Sequence, residues 1–293
     1  MNIIWNTLSG VNQTKEALIL SGTSFGREVE DYTKGRKPYS LDVFRWIKDL
    51  VPPDADILDM ACGNGLATID LREHVTSKVI GFDIDNKMLA EAKRLSKERN
   101  FSDIQYVQGD ACTMEDNQTL KHKRFDVICI FTAIHWLLKP KALQAMHALL
   151  KPKGKLIIVD GEIDNDKEKY SAKNFRERFT SIVSRILNRP IIYEKQNGTT
   201  LLKNNHFKPL AAVAIPYEGT LSFADYCSIV KSSSFFAELD ENEKKQVWPA
   251  LEMKIQELFS NHMNVPINVQ GIHQCFVYQK VPKKPLEGLQ SKL

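Results

Sequence analysis

The stretch ILDMACGNG, residues 57–65, constrains the fold more than any other part of the sequence. An apolar run ends at Met60, and two glycines, Gly63 and Gly65, follow it closely. Because glycine has no Cβ, its backbone can adopt a positive φ and let a ligand approach closely. A strand that leads through such a turn into a helix is typical of nucleotide-binding α/β sheets. A dinucleotide fingerprint would need a third glycine, but this chain has Thr68 there.

Strand-like and helix-like segments alternate between residues 38 and 160. The segment NKMLAEAKRLSKER, for example, has apolar residues at helical spacing, and the runs around it are short and apolar. This alternation predicts right-handed βαβ units and a buried, doubly wound parallel sheet. Ligands bind such sheets at the carboxyl ends of the strands. Four residues are expected at or near those ends: Asp59, Asp83, Asp110 and Phe131.

The pattern changes after Asp160, which suggests a division of the chain. We expect an N-terminal lid segment at 1–37, a cofactor-binding core at 38–160, the rest of the sheet with a helical cap at 161–281, and a flexible tail at 282–293. Residues 161–205 and 222–262 are the segments expected to lie over the ligand-binding edge. The alternative is that they only complete the helical layer of the sheet.

Composition excludes several classes of function. The chain has 293 residues and a net charge of +4, and its basic clusters are too short to predict a nucleic-acid partner. Its five cysteines form no CxxC pair and no metal-ligand spacing, so we expect reduced thiols and no metal. Neither a signal peptide nor a membrane-spanning stretch is evident, which favours a cytoplasmic location without membrane contact.

Two of the aspartates suggest how a nucleotide-like cofactor is bound. Asp83 is placed to accept hydrogen bonds from both hydroxyls of a ribose, and Asp110 could accept one from an adenine amino group. Either could instead stabilise its own turn or a helix N-terminus. NAD-dependent oxidoreductases use the same ribose contact, but Thr68 and the position of Asp59 before the turn disfavour that class.

Taken in order, five segments resemble the class I S-adenosylmethionine-dependent methyltransferases: ILDMACGNG, VIGFDIDNKML, IQYVQGDA, FDVICIFTAIHWL and LLKPKGKLIIVD. The resemblance implies a Rossmann-like fold, α/β with a mostly parallel seven-stranded sheet and a helical cap from C-terminal insertions. It also implies S-adenosylmethionine as the cofactor and S-adenosylhomocysteine as the product. The cofactor-binding residues would be Tyr32, Arg36, Asp59, Ala61, Gly63, Gly65, Asp83, Ile84, Met88, Asp110, Ala111 and Phe131.

Two further segments resemble a subgroup of small-molecule enzymes similar to trans-aconitate methyltransferase. They are AIHW, residues 133–136, and FGREVEDYTKGRKPYS, residues 25–40, which carries one inserted residue and lacks the final proline of that subgroup. The resemblance places Phe25, Ala133, His135 and Trp136 in the substrate pocket. His135 is the candidate catalytic base, although both it and Trp136 could simply pack the helix start.

The sequence therefore predicts a methyltransferase whose acceptor is a small molecule, with oxygen (carboxylate or hydroxyl) favoured. Two alternatives stay open: transfer to carbon or nitrogen of an aromatic, quinone-like metabolite, and a cofactor-binding protein without methyl transfer. A monomer and a homodimer are both compatible with the sequence.

Overall fold

The computed structural model describes residues 17–20, 23–163, 172–192, 198–259 and 263–282. The expected tail from 283 onward and most of the segment before residue 23 lie outside these ranges. In the described part of the chain, none of the helices combines the length and the apolar character that a bilayer crossing requires.

One seven-stranded sheet organises the molecule. Its strands are β1 Ile57–Met60, β2 Val79–Asp83, β3 Gln105–Gln108, β4 Phe125–Phe131, β5 Leu150–Ile163, β6 Phe207–Leu221 and β7 Ile267–Lys280. They lie in the order β3-β2-β1-β4-β5-β7-β6, with β7 antiparallel to both neighbours and the other pairs parallel. The strand order reverses beside β1, so ligands are expected at the carboxyl ends of β1 and β4.

Helices cover both faces of the sheet. One face packs against α2 Leu41–Leu50, α3 Leu66–His74 and α4 Asn86–Glu98, and the other against α6 Pro140–Leu149 and α8 Gly198–Asn204. The apolar spacing expected for α2 is present, since Val43, Phe44 and Ile47 are fully buried. The central strands β1 and β4 are thus shielded from water on both sides, which is the arrangement that stabilises parallel sheets, whereas the edge strand β6 is mostly exposed.

A second hydrophobic core lies outside the sheet. It is built from α7 Ala172–Leu187, α9 Phe223–Lys231, α10 Ser234–Ala237 and α11 Glu241–Phe259, which we call the cap. Leu18 and Leu20 join this core, and a two-residue strand pair, Leu18–Ile19 with Ile191–Ile192, holds them there. Residues 23–40, which we call the N-terminal segment, contain a 3-10 turn at Phe25–Glu28 and the helix α1 Val29–Gly35.

The predicted fold class is confirmed, with differences in element length. The last three strands extend beyond the predicted runs, and β5 continues past Asp160 to Ile163. Long antiparallel partners explain this, because β5 and β7 stay paired from Lys155 with Gln279 to Ile163 with Gly271. The helical stretches expected around 222–260 are three helices, since Ser222 begins α9 with a capping box and Ser233 begins α10.

Candidate functional site

The turn after β1 has the backbone conformation that its glycines allow. Ala61, Gly63 and Gly65 all have positive φ, at 56°, 54° and 77°. A Cβ at Gly65 would lie 2.7 Å from Ala92 and from the Tyr106 hydroxyl, so only glycine fits there. The left-handed Gly65 directly precedes α3, whose first backbone N–H groups therefore point toward the carboxyl edge of the sheet.

Asp83 connects the turn to the end of β2. Its Oδ2 accepts the Gly63 N–H at 2.8 Å, and its Oδ1 accepts the Asp85 N–H at 2.9 Å. Burial raises the pKa of Asp83, against the effect of these two backbone donors. The carboxylate therefore fixes the geometry of both loops that face a ligand at the switch point.

Asp59 lies beneath the same turn and is almost completely buried, at 1% exposure. Its Oδ2 accepts the Thr68 hydroxyl at 2.5 Å, while its Oδ1 has no hydrogen-bond partner. Burial, opposed by the Thr68 hydrogen bond and reinforced by nearby Asp83, raises the pKa of Asp59 to about 7. Thr68, which stands where a dinucleotide fingerprint has its third glycine, thus serves as the hydrogen-bond donor to this carboxyl group.

The ends of β2 and β3 present an apolar patch and a polar turn. Ile84 is 39% exposed, which is unusual for isoleucine so close to a sheet core. Asp110 follows β3, and its Oδ1 accepts the Cys112 N–H at 2.8 Å, so it stabilises its own turn. Ala111 packs against the core behind this turn. The structure thus brings Ile84 and Asp110 to the same edge as the glycine turn.

The N-terminal segment covers the glycine turn. A Cβ at Gly63 would lie 3.3 Å from Met88 Cε and 3.5 Å from the Tyr32 hydroxyl, so both side chains lie over the turn. Thr33 accepts a hydrogen bond from the Asn64 amide at 3.2 Å. These contacts place Tyr32 and Met88, both expected to bind cofactor, directly at the turn.

The other side of the N-terminal segment is bound to the cap. Four side-chain pairs make this contact: Ser24 with Glu238, Glu28 with Lys244, Asp31 with Ser228, and Lys37 with Asp225. The backbones also approach closely, because a Cβ at Gly35 would lie 2.7 Å from the Ile229 nitrogen in α9. The segment therefore lies between the core and the cap.

The turn after β4 is strained and is fixed by a tyrosine. Thr132 has a φ of 50°, which is rare for a β-branched residue, and its hydroxyl is 2.8 Å from that of Tyr39. Burial raises the pKa of Tyr39. Phe131, expected to contact cofactor, packs between Tyr39 and Phe44 on the α2 face of the sheet.

Beyond this turn, α5 Ile134–Leu137 carries an aromatic cluster. The Trp136 ring packs edge-on against Phe25, with centroids 6.1 Å apart, and His135 lies 4.6 Å from Trp136. Phe25 also contacts Tyr32 edge-on at 5.8 Å. Ala133 is buried beneath α5, whereas His135 is exposed. Three of the four expected pocket residues, Phe25, His135 and Trp136, are thus brought together.

Arg36 ends α1 at the mouth of the site. Its guanidinium stacks over the Tyr32 ring at 4.9 Å. The pKa of Arg36 is raised, chiefly by Tyr32, with further contributions from Tyr39 and from Asp160 at the carboxyl half of β5. Two expected cofactor-binding residues, Arg36 and Tyr32, therefore interact directly.

His273 is a site-edge residue that the sequence reasoning missed. It faces Gly161 across the β5–β7 ladder, stacks on Tyr217 at 4.3 Å, and its Nε2 accepts the Ser40 N–H at 3.3 Å. Burial lowers the pKa of His273 to about 4, so the imidazole is neutral near pH 7. Its only sequence signal is a polar residue in an alternating strand.

In the described part of the chain, one group of side chains has ligand atoms close enough to hold a metal: Asp70, Glu73 and His74, on α3. Asp70 is already ion-paired with Arg99 at 2.9 Å. These residues occupy the last turns of α3, whereas the glycine turn lies at its first turn. They therefore form a salt-bridge network outside the site.

Comparisons with known proteins agree with this geometry. Residues 57–154 match the family described as a methyltransferase domain. A methyltransferase-like protein of Schizosaccharomyces pombe is 23% identical over 231 residues, which cover 78% of this chain and 84% of that protein. The ribosomal protein L11 methyltransferase of Burkholderia vietnamiensis is 35% identical over 100 residues, but these are only 33% of this chain and 31% of that enzyme.

Among solved structures, one assigned as a type II methyltransferase from Anaeromyxobacter dehalogenans superposes with a TM-score of 0.57 at 16% identity. The superposition covers 85% of this chain and 99% of that chain. This likeness supports the fold. Residues 57–154 thus match a methyltransferase domain, and the expectation that the chain is a methyltransferase enzyme is confirmed at the level of the class.

Proposed function

We propose that this methyltransferase-domain protein transfers the methyl group of S-adenosylmethionine to an oxygen atom of a small-molecule acceptor, a carboxylate or a hydroxyl. The observation that carries the proposal is the glycine turn with its acidic partner. Gly63 and Gly65 have positive φ, which lets a ligand approach the backbone closely. Asp83 lies against the turn, with its Oδ2 2.8 Å from the Gly63 nitrogen. Such a site suits an adenosyl cofactor that carries a charged amino-acid tail.

The bound cofactor would extend along the edge of the sheet. Asp83 would accept the ribose hydroxyls, and Ile84 would cover one face of the adenine while Asp110 and Ala111 bind its edge. The methionine part would lie against Ala61, Gly63 and Gly65. Arg36, supported by the Tyr32 ring, would bind the carboxylate of that part. The remaining expected contacts are Asp59, Met88 and Phe131.

The acceptor would bind beside the aromatic cluster of Phe25, Trp136 and His135. The N-terminal segment, which carries Phe25, is tied to the cap by four side-chain pairs, so the two together would cover an acceptor bound there. A covered site favours a small molecule over a polymer. On this basis residues 1–37 act as the lid, 38–160 as the cofactor core, 161–281 as cap and remaining sheet, and 282–293 as a tail, an arrangement resembling the trans-aconitate methyltransferase subgroup.

Methyl transfer from a sulfonium is an in-line displacement in which the cofactor supplies the reactive group. The chain's own residues align the acceptor and exclude water, which can contribute roughly 7–11 kcal/mol. A base is needed only when the acceptor carries a proton at neutral pH. His135, which is exposed at the start of α5, is the residue we assign to that proton.

One alternative acceptor class has support from the comparisons. The relative from Burkholderia is named for a ribosomal protein, so a protein substrate is a second candidate. Its similarity ends within 100 residues, about a third of this chain, and leaves the cap unmatched. Transfer to carbon or nitrogen of an aromatic metabolite, and cofactor binding without transfer, are tested by the same experiment.

The test is incubation of the purified protein with S-adenosylmethionine labelled in its methyl group, together with a metabolite extract or with ribosomal proteins. We expect label in a low-molecular-weight product in which the new methyl group is bonded to oxygen. Label in protein, or on carbon or nitrogen, would contradict the acceptor assignment. Cofactor binding in calorimetry without label transfer to any fraction would support a binding protein instead.

A further inference from the structure

The two carboxyl groups beneath the glycine turn have unequal environments. Both oxygens of Asp83 accept backbone N–H groups, from Gly63 and from Asp85. Among the described residues, Asp59 receives only the Thr68 hydroxyl, on Oδ2, and its buried Oδ1 has no hydrogen-bond partner. An unpartnered buried carboxylate oxygen is costly, whereas the same oxygen carrying a proton is neutral. Asp59 is therefore the better place for a proton.

The surroundings of Asp59 contain no cation among the described groups that act on it. Two side chains act on the pKa of Asp59, Thr68 from α3 and Asp83 from β2. Asp59 in turn raises the pKa of three groups around it, those of Tyr106 on β3, Cys129 on β4 and Cys62 in the turn. Of these groups, Asp83 is the one that carries a charge, and that charge is negative. Two carboxyl groups this close do not both ionise easily, so one takes up a proton at higher pH than usual.

We propose that Asp59 holds a proton in the ligand-free protein and releases it when S-adenosylmethionine binds over the glycine turn. The step breaks the carboxyl O–H bond, leaves a carboxylate, and passes the proton to the solvent. The inference rests on the function proposed above. Asp59 is then a positioning residue, because its change of protonation adjusts the charge beneath the cofactor.

Asp59 would release its proton because the cofactor is positively charged. S-adenosylmethionine brings a sulfonium and an ammonium group toward a site whose walls are partly buried carboxyls. A positive charge near a buried carboxyl favours its ionised form. S-adenosylhomocysteine lacks the sulfonium charge, so its binding would release fewer protons. The product would therefore be held less tightly than the substrate cofactor by the ionised Asp59.

Calorimetry in two buffers measures the released proton directly. Binding of S-adenosylmethionine at pH 6.5 is followed in phosphate and in Tris, whose ionisation enthalpies differ strongly. From a pKa of about 7 for Asp59, we expect the wild-type protein to release about 0.8 proton at this pH. Asp59→Asn should release none. The control variant Asp103→Asn, at an exposed carboxylate paired with Arg72, should release as much as wild type.

A second variant keeps the test decisive if Asp59→Asn does not fold. Thr68→Val keeps the shape of the side chain and removes the hydroxyl that donates to Asp59 Oδ2, so the carboxyl group should titrate about one pH unit higher. Binding of S-adenosylmethionine should become weaker as pH falls through the pKa of Asp59. In Thr68→Val this loss of affinity should begin at a correspondingly higher pH.

Equal binding enthalpies in the two buffers for the wild-type protein would overturn the proton coupling. So would a Thr68→Val profile of Kd against pH identical to that of wild type. If S-adenosylmethionine does not bind the wild-type protein at all, the proposed function fails, and the coupling fails with it. If S-adenosylmethionine binds with the same enthalpy in both buffers, only the proton coupling is contradicted and the proposed function stands.

Discussion

The Gly26 N–H donates to the Asp85 carboxylate at 2.8 Å and thereby fastens the N-terminal segment to the first turn of α4. The other oxygen of Asp85 accepts the Lys87 N–H and so caps the helix. One side chain therefore both begins α4, which carries Met88, and holds the segment that carries Tyr32.

Gly26→Ala should loosen this fastening. A Cβ at Gly26 would lie 2.2 Å from Asp85 Oδ2, so either the backbone or the Asp85 carboxylate must move and their hydrogen bond is disrupted. We expect about tenfold faster dissociation of S-adenosylmethionine in stopped-flow fluorescence, equivalent to about 1.4 kcal/mol. Gly219→Ala is the matched control, because a Cβ there would meet only Val269 at 3.8 Å. Equal rates for the two variants would contradict the role of the Gly26 contact.

Asp83→Asn should weaken cofactor binding strongly. The amide cannot accept both N–H groups that the carboxylate accepts, so the glycine turn loses a hydrogen bond and the ribose loses its acceptor. We expect roughly a hundredfold increase in the Kd of S-adenosylhomocysteine, measured by calorimetry. Asp103→Asn serves as the surface control. An unchanged Kd in Asp83→Asn would remove Asp83 from the cofactor site.

The buried carboxyl of Asp59 predicts a stability that falls as pH rises. Its pKa is about 7 in the folded protein and near 3.8 when exposed, so between these values the folded state binds the extra proton. The contribution of this carboxyl group to the free energy of unfolding is fully present below pH 4 and is lost by pH 8. Asp59→Asn should therefore gain about 4 kcal/mol relative to wild type between those pH values, in urea unfolding. A constant difference across that range would refute the shifted pKa.

The lowered pKa of His273 predicts the opposite dependence of stability on pH, with stability rising as pH rises through the acidic range. Its pKa is about 4 in the folded protein and 6.5 when exposed, so the unfolded chain binds the extra proton between these values. The folded state thus loses stability as pH falls below 6.5. His273→Phe should lose about 2 kcal/mol less than wild type between pH 7 and pH 5. His122→Phe, at an exposed position, should follow wild type.

His135→Ala separates a base from a pocket residue. If His135 removes a proton from a hydroxyl acceptor, kcat should fall about 10²- to 10⁴-fold while the cofactor Kd stays unchanged. Wild-type kcat should also decline as pH falls, and the variant should lack that limb of the pH profile. Full turnover of the variant on the identified acceptor would leave His135 without a catalytic role.

The sequence predicted the parts of this molecule that depend on local spacing. The glycine turn, Asp83 after β2 and the alternating elements up to Asp160 are encoded within short stretches. The contact between Thr68 and Asp59 was not predictable, although both residues were noted, because it requires the pitch of α3 over β1. His273 was missed because its partners Ser40 and Gly161 are brought to it only by the antiparallel pairing of β7.

The contacts of the N-terminal segment show the same limit. Ser24 and Glu238 are 214 residues apart in the chain, and no periodic pattern connects them. Phe25 and Trp136 were suggested as pocket residues only through a resemblance. Their mutual packing depends on where the cap holds the segment.

These long separations also set an order of assembly on the ribosome. Strands β1 to β5 and the glycine turn are complete once residue 163 has emerged, and domains generally fold as their chain appears. The N-terminal segment is synthesised before these strands, but its partner Lys244 emerges only after them. A nascent chain would therefore present an uncovered carboxyl edge of the sheet until α11 has emerged, and only then would the N-terminal segment be held over that edge.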